Sequence, residues 1–239
     1  TKLNIAYDVS DDTMIYLTKS EGYRPGGANR TQQLGSTYDA DFLKNTEFGF
    51  KSIFSNGKAR LNGALYQMNW DDIQLGWFDS SISLLGLVDN IGKAESSGYE
   101  LDLRYLLTDN LSFNIAASKN DAKLKADYVL RGSVRARNGQ DLPFTPDLKY
   151  NFNVNYESNE GNIMQLNYAY VDSMWNDLFY ADREKQDSYA IANFFYIKPI
   201  NDNSSIQIYI DNIFDEKAEL YINSEDIQKL ITVNRPRSI

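Results

Sequence analysis

Apolar and polar residues alternate with a period of two over most of the chain. Tyr99, Leu101, Leu103 and Tyr105 alternate with Glu100, Asp102 and Arg104, and Tyr150, Phe152, Val154 and Tyr156 alternate with Asn151, Asn153, Asn155 and Glu157. Successive side chains on an extended strand point to opposite faces, so each run reads as a strand with one dry and one wet face. The same template fits Leu3, Ile5, Tyr7 and Val9 against Asn4, Ala6 and Asp8, and it fits residues 111–115 and 206–210. No 3.6-residue stripe competes with it beyond a short turn of helix in a loop.

The connections alternate in length. Turn-forming clusters at residues 10–13, 55–58, 108–110, 158–161 and 201–204 suit tight hairpins. Long polar stretches at residues 21–41, 79–95, 120–146, 173–187 and 214–236 lie between them. All five prolines fall in loops or at strand ends, where a missing N–H breaks no ladder. The pattern predicts about ten strands, with an eleventh starting at Arg237, short turns at one end and long loops at the other. That is the layout of a membrane β-barrel. The run from Ala59 to about Trp77 exceeds a crossing of roughly 9–11 residues, so its upper part is expected to project beyond the bilayer. The predicted fold class is all-β, an antiparallel up-and-down transmembrane β-barrel segment that stays open. Apolar residues such as Leu101, Phe113 and Phe152 are expected to face lipid, and Glu100, Asp102, Arg104, Asn151 and Asn153 the lumen.

Composition narrows the chemistry. A net charge of −9 argues against nucleic acid, because phosphate neutralisation needs clustered Lys and Arg. The chain has no Cys and no His, which removes disulfides, thiolate metal sites, the usual zinc sites and the commonest general base. No catalytic, cofactor or metal site is expected, and the chain is not read as an enzyme. The mean hydropathy of −0.50 is neutral for a barrel, whose strands carry only every second residue apolar. Asp11 with Asp12 and Asp71 with Asp72 lack the spacing of a calcium loop and read as solvated turn or lumen charges. Thr1 opens directly into strand-like sequence, with no signal peptide in this stretch.

Residues 16–29 read Y-L-T-K-S-E-G-Y-R-P-G-G-A-N, which resembles a segment of TonB-dependent receptors, the outer-membrane proteins that import scarce nutrients. Residues 90–101 (N-I-G-K-A-E-S-S-G-Y-E-L), 142–151 (L-P-F-T-P-D-L-K-Y-N), 210–221 (I-D-N-I-F-D-E-K-A-E-L-Y) and 234–239 (N-R-P-R-S-I) are similar to further segments of that family, in the same order. The resemblance implies that residues 1–239 are the C-terminal part of a barrel of about 22 strands, spanning about strands 12 to 21. It places the closing strand, the plug domain and the TonB box outside this stretch. It also implies a multi-pass protein of the bacterial outer membrane, with membrane lipid, TonB and a small-molecule ligand as partners. A ferric siderophore is the leading cargo, while vitamin B12, nickel chelates, oligosaccharides and plant polyphenols stay open. Haem fits less well, because haem receptors rely on a histidine and an F-R-A-P segment where this chain has Tyr23, Arg24, Pro25 and Gly26. A passive porin and a soluble β-sandwich lectin are the alternatives.

Substrate-binding candidates lie at strand tops and in loops: Tyr23, Arg24, Arg30, Trp77, Phe78, Trp175 and Tyr180, with Phe179 beside the last. Arg24 offers a bidentate fork to an anionic ligand, although Gly26 and Gly27 beside it equally suit a simple strand-to-loop transition. The aromatics can stack on a ligand or anchor an outer aromatic girdle, the simpler reading.

Overall fold

A computed structural model describes residues 1–30, 37–77, 86–179, 183–223 and 229–239. Its centre is one sheet of ten strands: β1 (Lys2–Ser10), β2 (Thr13–Arg24), β3 (Asp41–Phe54), β4 (Ala59–Asp71), β5 (Ala94–Thr108), β6 (Leu111–Leu124), β7 (Leu148–Glu157), β8 (Ile163–Val171), β9 (Tyr189–Asn201) and β10 (Ser204–Ile210). Every strand pairs antiparallel with its neighbours in sequence, from β1 at one edge to β10 at the other. The sheet is therefore an open up-and-down meander, as the alternation predicted. The other sheets among the described residues are two-stranded ribbons in the loops, so no second large sheet faces it, which removes the sandwich reading. No helix occurs among them either.

The hairpin turns use the residues turns demand. Ser55, Asn56 and Gly57 take φ of 53°, 55° and 83°, a left-handed run that Asn and Gly tolerate best. Pro199 sits at a register shift between β9 and β10, so its absent N–H falls where the ladder is already interrupted.

Register fixes the faces. Leu101 opposes Gly63 and Ala117; Leu103 opposes Leu61 and Ile115, and Ile115 opposes Phe152; Phe113 opposes Tyr105 and Val154. These residues share one apolar face, and the rows through Leu101, Leu103 and Tyr105 carry no charge on any strand they cross. Ile5 is 57% exposed and Leu65 is 59% exposed. On the other face Asp102 opposes Asn62 and Ala116, and Arg104 opposes Arg60 and Asn114. Three large side chains lie across glycines of the next strand: Tyr16 over Gly49, Phe50 over Gly63 and Tyr66 over Gly98. Only Gly fits at position 98, where a Cβ would come within 2.0 Å of the Lys119 carbonyl oxygen and 2.7 Å of the Tyr66 hydroxyl.

The buried core lies above the sheet, at the long-loop end. Leu87, Ile91, Leu124, Tyr128, Leu130 and Leu178 form it with Trp70 packed alongside. Trp70 opposes Ala94, and Ala94 opposes Leu124, all in register with the polar face. The loop layer therefore leans over the polar face and leaves the apolar one bare. Each long loop is braced by a two-stranded ribbon, pairing residues 27–28 with 37–38, 74–77 with 87–90, 128–130 with 133–136, 174–175 with 185–186, and 219–223 with 230–233.

Three boundaries differ from the sequence reading. β2 runs on to Arg24 and β6 to Leu124, because the tops of both strands are paired with neighbours that continue upward. The long run from Ala59 breaks at Asp72, whose φ of 54° turns the chain out of the ladder, and the next segment forms a separate ribbon. The eleventh strand expected to start at Arg237 is present as one antiparallel pair, Ser238 with Asp211 at the end of β10.

Candidate functional site

The long-loop end carries the densest polar chemistry, and Asp41 is its hub. This carboxylate tops β3 with its side chain 2% exposed. It accepts the Arg24 backbone N–H at 3.1 Å, Arg24 Nε at 2.9 Å and 3.2 Å, the Arg24 Nη2 group, Trp70 Nε1 at 3.0 Å and the Gln74 backbone N–H at 3.2 Å. Burial alone would raise its pKa, but the bonds from Arg24 and Gln74 and the guanidinium charge outweigh that and hold the carboxyl below its ordinary value. Arg24 also donates to the Gln74 carbonyl at 3.0 Å and lies 5.0 Å from the Trp70 ring centre. Nearby, Asp71 is paired with Lys44 at 3.0 Å and Lys93 at 3.4 Å, and the Lys44 bond holds its carboxyl below its usual pKa.

From this hub the loops are lashed to one another in sequence. Gln74 donates its side-chain amide to the Pro25 and Asp39 carbonyls at 3.0 Å and 2.9 Å. Asn29 makes a two-way bond with the backbone of Val88, at 2.8 Å and 2.9 Å, as a neighbouring strand would. Asn90 bonds the backbone of Asp39 and of Asp72. One loop on, Tyr128 donates its hydroxyl to Asp89 and stacks on Phe179, ring centres 5.7 Å apart. Burial first and that bond second push the Tyr128 phenol well above its ordinary pKa. Gln140 reaches the Leu178 carbonyl, Arg183 the Asp141 carbonyl at 3.1 Å, and buried Asn176 and Gln186 the carbonyls of Ile222 and Glu219. Apart from the Tyr128–Asp89 pair, each contact gives a loop carbonyl or N–H a partner.

The segments 210–221 and 234–239 fold into one knot. Asn212, 3% exposed with φ of 52°, bonds the Glu216 and Arg235 carbonyls, at 2.9 Å and 3.1 Å, and the Glu216 N–H. Asn234 returns bonds to Glu216 and Ala218, and Arg237 bonds Asp215 and Ile213.

The sequence candidates do not converge on one pocket. Tyr23 is 69% exposed on the apolar side and stacks on Phe42 at 6.2 Å. Arg24 turns to the polar side and is committed to Asp41. Arg30 is exposed. Trp77 lies in the ribbon opposite Leu87. Trp175 is half-buried under the Arg183 guanidinium, 4.2 Å from its ring centre, at a hollow of about 390 Å³ that Gln140 and Asp141 also line. Phe78 and Tyr180 lie outside the described residues. The sequence reading missed Phe144, which holds a φ of 55° yet is 45% exposed and stacked on Tyr221 at 5.6 Å. A bulky residue in that backbone region is uncommon, and its place between two prolines was the available signal.

Residues 1–213 match the family model described as TonB dependent receptor-like, beta-barrel. The chain belongs to that family. It is 23% identical over 244 residues to the pesticin receptor of Yersinia pestis, covering 100% of this chain and 34% of that one. It is 24% identical over 221 residues to the ferric-pyoverdine 358 receptor of Pseudomonas putida, covering 89% of this chain and 25% of the relative. Among solved structures, the ferric yersiniabactin uptake receptor FyuA of Yersinia pestis overlays with a TM-score of 0.79 at 22% identity, over 99% of this chain and 35% of that one. The ferric-catecholate import receptor Fiu of E. coli K12 overlays with a TM-score of 0.76 at 18% identity, over 99% of this chain and 33% of that one. The chain thus spans about a third of the length of the first relatives it matches.

Proposed function

We propose that residues 1–239 form the C-terminal part of an outer-membrane barrel whose intact protein imports a ferric siderophore with energy supplied through TonB. The observation that carries this reading is the division of labour in the fold. An apolar face without charge over its middle rows suits lipid, the opposite face is hydrated, and all the long loops gather at one end in a braced layer where a bulky chelate can dock. Relatives named for pesticin, pyoverdine, yersiniabactin and ferric catecholates support iron chelates over other cargo. Arg30 and Trp175 are the candidates left to meet the ligand, since the Arg24 guanidinium fastens the loops. This stretch of wall does not transport alone; a plug and a coupling segment complete the machine. The test is uptake of labelled ferric siderophores by cells making the full-length protein, with and without the coupling system. Uptake that vanishes without coupling is expected, and uptake undiminished by its removal would mean a passive porin.

A further inference from the structure

The polar face of the sheet is divided. On β1–β5 it carries Asp8, Lys51, Arg60, Glu100, Asp102 and Arg104. On β6–β10 its charges are Lys149 and Glu157, one at each end of β7, and the residues between are neutral: Asn114, Asn151, Asn153, Asn155, Asn167 and Asn193, with Ile191, Phe195 and Ile197 beside them on β9. A single row shows the change: Arg60 opposes Arg104, which opposes Asn114, followed in register by Asn153, Asn167 and Asn193. Two guanidiniums give way to four amides. The amides are linked, Asn167 donating to Asn153 at 2.7 Å and Asn153 to Asn151, while Asn193 accepts the Asn212 backbone N–H at 2.9 Å. An amide has two donor hydrogens and two acceptor sites, so each keeps capacity for water or a passing solute.

A passage must bind well enough to admit a solute and weakly enough to release it at every step. One neutral hydrogen bond, exchanged against water, changes residence by about 2- to 10-fold. A charge facing an opposite charge across a few ångströms, partly shielded from water, changes it by about 100-fold. The mixed charges of β1–β5 would therefore hold a charged chelate or repel it, whereas the amide half lets it slide. We infer that the ligand travels along the amide-bearing half of the polar face, over β6–β9, and not along β1–β5. The inference rests on the transport reading above and gives it a route: a hydrated ferric chelate handed from the loop layer over Trp175 down a neutral wall.

The experiment uses the full-length receptor in iron-starved cells, with labelled ferric yersiniabactin, ferric pyoverdine and a ferric catecholate as probes. The double variant Asn153→Asp with Asn167→Asp keeps shape and adds charge; a carboxylate either repels an anionic chelate or grips its iron, so uptake is expected to fall about tenfold with binding at the cell surface unchanged. Asn167→Ser breaks the Asn153 bond without adding charge and keeps uptake within about twofold. Arg60→Gln with Arg104→Gln, on the other half, also stays within about twofold. Normal uptake by the aspartate variant would mean that another polypeptide covers the amide face, and overturns the route. An equal loss in Asn167→Ser would make the ladder structural, and overturns it too. A wild type that imports none of the probes would instead refute the transport reading and the route together.

Discussion

Replacing Asp41 by Asn keeps the shape of the buried hub and removes its charge. In that variant one carboxylate oxygen becomes an NH2 group facing Trp70 Nε1, the Gln74 N–H and the guanidinium, so donors meet a donor. Leaving two interior N–H groups without an acceptor costs about 1–3 kcal/mol each. The Arg24 side chain is 50% exposed and can turn to water, so its ion pair adds less than about 1 kcal/mol after screening. A flip of the amide recovers part of the loss, which leaves a net cost of about 3 kcal/mol. That cost falls on the junction of the loops after β2 and β4 and spares the middle of the sheet. In the intact protein in detergent, hydrogen exchange at the Gln74 and Ile73 amides should accelerate by about 100-fold, with Leu101 and Ile115 unchanged. Acid sharpens the test. The folded carboxyl releases its proton more readily than the unfolded one, whose ordinary value is 3.8, so its contribution is complete above about pH 4 and is lost as pH falls through the lower folded value. Asp41→Asn should abolish that acid dependence. Exchange at Gln74 within about threefold of wild type would refute the view that Asp41 fastens these loops.

Leu101→Arg, at mid-height on the apolar face, should cost about 2–4 kcal/mol and impair assembly into a heat-modifiable band on gels, while Glu100→Arg on the polar face assembles normally. Gly98→Leu should block pairing of β5 with β6 and abolish that band, because its Cβ alone would meet the Lys119 carbonyl. Asp177, whose carboxyl burial raises against the opposing bonds from Phe179 and Leu178 and the Arg183 charge, should make the loop after β8 lose protection as pH rises from about 4 through the raised value; in Asp177→Asn the protection there, measured against the intrinsic exchange rate, should no longer vary with pH.

The strands, the short turns and the faces of the alternating residues on β5, β6 and β7 were legible because a period of two states which side chains share a surface. The loop layer was not legible, for a physical reason. Asp41, Gln74, Asn90, Asn176 and Asn212 owe their value to partners far along the chain; Asn29 meets Val88 across 59 positions and Asn176 meets Ile222 across 46. A lone polar residue in a loop has no periodicity to announce it, and its side chain reads as solvated until the fold buries it. Asp72 was legible by contrast. It was read as a solvated turn charge, and it is exposed in the left-handed region where it ends β4, a role that Asp fills more readily than most.

The fastening residues also explain why the sequence speaks clearly about the family and quietly about the cargo. Segments 16–29 and 90–101 contain Arg24, Asn29 and Asn90, which tie the loops after β2 and β4 together; segments 210–221 and 234–239 contain Asn212, Asn234 and Arg237, which close the knot after β10. The resemblance therefore runs through groups that hold carbonyls and N–H groups of the chain itself. Such bonds are independent of the cargo, because loop carbonyls and N–H groups need partners whatever ligand is carried. Under the transport function proposed above, ligand choice would fall to exposed positions on the same braced layer, such as Arg30 and the Phe144 and Tyr221 pair, which can change without loosening it. Exchanging Phe144 and Tyr221 for residues of another receptor should accordingly alter which ferric chelate is bound while leaving hydrogen exchange at Gln74 untouched. A simultaneous rise in exchange there would mean that recognition and bracing share the same residues, and the separation argued for this loop layer would fail.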